Sequence, residues 1–140
     1  MADHPGARPE FGPRFLEGVE HFNAREFWDA HESWEELWLA ASSDLEQYLQ
    51  GLIQLAAAYH HLQRGTLSGG IRLFDAALRR LEPFAESCCG IERHHAVAAA
   101  AVDRQWAADQ LAAGPARPFD GVYRRLVVID PACPPPSPEW

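Results

Sequence analysis

Lysine is absent from this chain, and all twelve basic residues are arginine. Any mechanism that needs a lysine amine, as a Schiff base or an activated nucleophile, is thereby excluded. Cysteine is scarce. Cys88 and Cys89 are adjacent and Cys133 stands in a proline-rich stretch, so neither zinc spacing nor a disulfide framework is present. Reduced thiols, and with them a cytoplasmic location, are the expectation. Long apolar runs are missing too. The longest uncharged run, Gln47 to Gln63, contains four glutamines and two histidines and falls short of a membrane span. Met1 to Phe11 carries two prolines and charges of both signs, with no apolar core of the kind a secretion signal needs. Positive charge is in deficit, at a net −8, so no nucleic-acid partner is expected, because phosphate binding needs a concentrated basic surface. There is no phosphate-cradling glycine loop and no Ser/His/Asp signature.

What is there reads as helix. The 140 residues suffice for one domain with a real core, and 47% of them are hydrophobic. Residues 1–12 read as a disordered lead-in ending at Gly12-Pro13. A first helix then spans Pro13 to Phe22, with Phe15, Leu16, Val19 and Phe22 at helical spacing. Asn23 with Glu26, and Ser43 with Glu46, have the spacing of capping boxes, opening helices over 24–41 and from 43 to 61 or 63. A fourth helix is predicted over 68–84, with the stripe Ile71, Phe74, Leu78 and Leu81. A fifth, alanine-rich helix runs from Gly90 to Gly114-Pro115. Residues 115–140 read as an irregular tail. Within it Leu126 to Ile129 suits a short strand, and five prolines among residues 131–138 preclude packed structure. The expected fold class is all-α, a compact bundle of four to five helices over 13–114.

The second helix holds the chemistry. On a wheel of about 100° per residue, Asp29, Glu32, Ser33 and Glu36 share a solvent arc, while Phe27, Ala30, Trp34, Leu37, Trp38 and Ala41 share a buried one. His31 and Glu35 fall between, one turn apart, with Trp28 one turn before and Trp38 one turn after. An imidazole and a carboxylate bracketed by indoles are expected to turn inward and to need hydrogen-bond partners. Trp28, Trp34, Trp38 and Trp106 read first as core packing. His94 and His95 read as surface.

In the third helix, Leu45, Tyr48, Leu49, Leu52, Leu55, Ala56, Tyr59 and Leu62 form the apolar face, and His60 lies at its edge. The opposite side holds Gln47, Gln50, Gln54, Ala57, Ala58 and His61, with no charge. Solvated faces normally carry charge, so this helix is expected to be central and contacted from more than one side. Gly51 and the alanines permit close helix approach, and buried glutamine amides would find partners in His31 or Glu35.

These segments resemble the bacterial family called domain of unknown function 309. The resemblance rests on Ala30-His31-Glu32-Ser33-Trp34-Glu35-Glu36-Leu37-Trp38, then Gln50-Gly51 and Ala56-Ala57-Ala58-Tyr59-His60. Phe22-Asn23 upstream, and Gly65 and Gly90-Ile91-Glu92 downstream, sit in similar places, so the resemblance extends over residues 13–112. Glu92 stands where the family tends to carry aspartate. The resemblance implies a compact helical fold and no activity.

Two functional readings follow. In the first, His31, Glu32, Glu35, Gln50 and His60 form a polar cluster of a non-enzymatic module, fixing helix packing or a partner surface, with a second copy or another protein as partner. In the second, the protein is a metal-dependent, hydrolase-like enzyme. His31-Glu32-x-x-Glu35 resembles half of a zinc motif, and His31, Glu35 and His60 would hold a divalent metal with a water in the open position. Glu32, on the solvent arc, is poorly placed as a base. A di-iron site needs two Glu-x-x-His pairs, and only Glu92 to His95 is present. The sequence leaves enzyme and non-enzyme open.

Overall fold

The computed structural model describes residues 11–84, 87–88 and 91–114. Five helices follow in order: α1 (Phe11–Asn23), α2 (Phe27–Ala40), α3 (Ser43–Gln63), α4 (Leu67–Leu81) and α5 (Arg93–Ala113). Two short strands, β1 (Ser87–Cys88) and β2 (Ile91–Glu92), pair antiparallel ahead of α5. The all-α class read from the periodicity is what the molecule adopts. The predicted strand at 126–129 and the proline-rich tail lie outside the described residues.

Several element boundaries differ from the sequence reading. Helix α1 begins at Phe11, so Phe11 and Gly12 are helical and not lead-in. The capping box expected at Asn23 does not form, because Asn23 is the last residue of α1 and α2 starts only at Phe27. The turn is held instead by the Glu26 N–H on the His21 carbonyl at 2.8 Å and by His21 Nδ1 against Glu26 Oε1, also 2.8 Å. Arg25 takes the left-handed conformation this reversal requires, at φ +67°. Gln63 Nε2 donates to the Arg25 carbonyl at 3.0 Å, tying the end of α3 to the same turn. At α3, Ser43 is already helical and Ser42 occupies the cap position, without a side-chain cap bond. Helix α5 begins at Arg93, not Gly90, because Ile91 is drawn into the ladder opposite Cys88 and is buried there.

Each helix packs on its neighbours in sequence, and α3 lies at the centre. Its expected apolar face is buried throughout, from Leu45 to Leu62. Tyr59 is the hub. Its ring meets Phe22 of α1 at 5.5 Å, Phe27 of α2 at 5.2 Å and Phe74 of α4 at 5.0 Å. Its hydroxyl donates to the buried Asp103 of α5. The first and last helices therefore both reach the Tyr59 side of α3, forming a second layer behind the α2–α3–α4 layer.

Two glycines allow the close approaches. A Cβ at Gly51 would stand 2.8 Å from the Leu81 side chain, so α4 lies nearer to α3 than alanine would allow. A Cβ at Gly18 would fall 2.2 Å from Trp34 Nε1. That indole is fully buried and donates to the Phe15 carbonyl at 3.1 Å.

Candidate functional site

With α1 and α5 behind it, α3 turns its other side outward between α2 and α4. At about 100° per residue, Gln50, Gln54, Ala57 and His61 occupy roughly a 60° arc opposite Tyr59, with Gln47 at its margin. Gln50, Gln54, Ala57 and His61 are half-buried and Gln47 is exposed. The lack of charge noticed in the sequence is thus not explained by complete burial inside the chain. This face stays partly open.

Helix α2 forms one border of the face. Trp28 stacks on His31, with centroids 4.8 Å apart and planes 15° from parallel, and leans on His60 of α3 at 5.5 Å. The structure thus brings His31 and His60 together around one indole. Trp28 itself is 51% exposed, which corrects its assignment to the core. Trp34 is fully buried, and Trp38 and Trp106 pack on the core from partly buried positions. The imidazole of His31 is largely covered. Its Nε2 stands 3.9 Å from Glu35 Oε2, too far for a hydrogen bond, and the Glu35 side chain is 48% exposed. Of the pair expected to turn inward, the histidine does so and the carboxylate stays in water, because one helical turn of separation leaves Glu35 at the rim.

Burial lowers the pKa of His60 from its ordinary 6.5, and the positive charge of Arg64, with His61 and His31 nearby, lowers it further. His60 is therefore held toward the neutral imidazole.

Glu32 and Glu35 both line a groove of about 500 Å³ between α1 and α2, together with Arg14, Glu17, Asp29 and Glu36. Arg14 pairs there with Glu17 and, at 3.1 Å, with Glu36. Ser33, expected on the solvent arc, is only 6% exposed, because α1 crosses over it and Ser33 Oγ donates to Glu17 Oε1 at 3.2 Å.

As for a metal, the described groups whose donor atoms gather within 4.8 Å of one another are His21, Glu26 and Asp29, near the surface at the α1–α2 turn. The trio His31, Glu35 and His60 does not converge in this way.

The signal that sequence reading passed over lies in the hydrogen-bond inventory. Among the described residues, three buried side-chain atoms have no partner: His31 Nδ1, Gln54 Oε1 and His61 Nδ1. All three belong to the face of α3 and its α2 border. The partners expected for Gln54 from His31 or Glu35 are not supplied. His61 packs toward the start of α4, where a Cβ on Gly69 would lie 3.1 Å from its Nδ1. Its position on the uncharged side, seven residues from Gln54, was the available clue.

Fold and site together define a small helical domain with an open, neutral polar face. Residues 15–73 match the model of the family described as domain of unknown function (DUF309). The matched stretch runs from α1 into the middle of α4 and contains every residue of the face on α2 and α3. The match ends before Gly90-Ile91-Glu92, so the similarity expected as far as residue 112 is shown only to 73. No curated protein and no solved structure matches the chain. No described helix is long and apolar enough to cross a membrane.

Proposed function

We propose that this protein is a non-catalytic helical docking module that works through the outer face of α3. The supporting observation is that Gln54 Oε1 and His61 Nδ1 on that face, and His31 Nδ1 on its α2 border, are buried and unpartnered. Buried polar groups in a folded chain are nearly always satisfied, and an unpaired one costs about 1–3 kcal/mol. Three at and beside one partly open face are explained by a partner toward which these side chains turn to make the missing bonds. The hydrolase alternative has weaker support, since the donor atoms of its three ligands do not gather.

The reading has a stability consequence that a purely structural role lacks. If Gln54 belonged to a network holding the fold, replacing it would destabilise the chain. If its amide is kept for a partner, Gln54→Leu leaves the free domain as stable as before or raises its stability by about 1 kcal/mol. Urea denaturation at a dilution where association is negligible reads this directly. A loss of about 1 kcal/mol or more in Gln54→Leu would overturn the reading.

A further inference from the structure

The chemistry of this face suits one partner above others: the same face on another molecule. We infer that the protein forms a two-fold symmetric dimer in which α3 packs antiparallel against α3 of the second copy, centred on Gln54. This inference rests on the docking reading above and deepens it.

Three features of the face carry the argument. The first is spacing. Gln47, Gln50, Gln54, Ala57 and His61 recur at intervals of three, four, three and four, the seam of a paired helix. Gln54 is the midpoint of that seam. A two-fold axis there sets Gln54 against Gln54 of the second copy, Gln47 against His61, and Gln50 against the small side chains of Ala57 and Ala58.

The second feature is hydrogen-bond complementarity. An amide both donates and accepts, so two facing Gln54 side chains that turn outward from their buried position can bond to each other. Gln47 Oε1 already accepts from Arg80. A polar residue at the centre of an otherwise small and neutral seam also fixes register and direction.

The third is charge. Two molecules of net charge −8 repel, and the least costly contact is a face without charge. From Gln47 to Gln63 there is none, and the run is bounded by Glu46 at one end and Arg64 at the other. Both project to the same flank of the seam, since they lie eighteen residues, or five full turns, apart. Antiparallel pairing about Gln54 brings Arg64 of each copy near Glu46 of the other, twice by symmetry. Parallel pairing would put these charges on opposite sides of the seam and form neither pair.

The test uses the full chain in sedimentation velocity. The wild type is expected to run at twice the 15.6 kDa chain mass. Glu46→Arg and Arg64→Glu should each weaken association by about tenfold, from two ion pairs turned repulsive, and the double variant should restore it. Arg64 is exposed and Glu46 half-buried, and unchanged helical circular dichroism verifies the fold of each variant. In a second measurement Cys88, Cys89 and Cys133 are replaced by serine and Gln54→Cys is introduced. It should oxidise to a covalent dimer, whereas Ala101→Cys on exposed α5 should not.

A monomer at every concentration overturns the dimer. So does a dimer that ignores both single reversals and forms no disulfide in the Gln54→Cys variant. If Gln54→Leu is tolerated while the chain stays monomeric, only self-association fails and the face serves another partner. If Gln54→Leu destabilises the free chain, the docking reading itself falls.

Discussion

At the scale of single residues, the unusual groups are neutral and polar where carboxylates drew attention in the sequence. His60 shows what burial does to one of them. Its folded pKa lies below 6.5, so between those two values the unfolded chain binds more protons than the folded one. The contribution to stability is full above about pH 6.5 and is lost as pH falls through the folded value. Urea midpoints measured from about pH 7.5 down to 5 should therefore decline, and His60→Gln should flatten part of that decline. An NMR titration of His60 with a midpoint at or above 6.5 would contradict the assignment. Trp28 belongs at this scale as well. Its indole covers His31 and meets His60 while half exposed, so it shields the imidazoles from water without joining the core.

Helix pairs obey a different constraint, that of distance. Helix α1 can approach α2 as closely as it does because Gly18 has no side chain where the Trp34 indole lies. Gly18→Ala places a methyl inside that ring. The indole is enclosed and bonded to the Phe15 carbonyl, so relief requires moving α1 or breaking that bond. Overpacking and loss of one buried hydrogen bond together should cost about 2–3 kcal/mol, read from the denaturation midpoint. Little change would mean that α1 slides easily over α2. Apolar periodicity, and for the fifth helix alanine content between glycines, predicted these helices, because both are local patterns. Their ends were less legible. Capping spacings at Asn23 and Ser43 looked sufficient in sequence, yet the short turns are closed by backbone bonds and by the His21–Glu26 contact, which no spacing rule anticipates.

For the whole molecule the question is which surface is unfinished. The two layers enclose Tyr59 and leave the opposite side of α3 partly open, bordered by α2 and α4. If that side is closed by a second copy, folding and association are linked, and dissociated chains unfold more easily than paired ones. The wild-type melting temperature should then rise with protein concentration, while that of Glu46→Arg should be nearly independent of it. A concentration-independent wild type would speak against linkage.

By itself the sequence determined the helical class, the apolar face of α3 and the neutral character of its opposite side, since all three are written in local periodicity and composition. It also carried the DUF309 resemblance through the motif around His31. Only the tertiary structure decided which polar groups share a face. His31 and Glu35 are one turn apart in sequence, yet one is covered and the other hydrated. Glu32 lines the groove between α1 and α2, and among the described residues His31, Gln54 and His61 are left with a buried, unpartnered side-chain atom. Burial and partnership of a side chain depend on which neighbouring helix crosses it, and that is fixed by packing between distant segments, not by the spacing of residues within one.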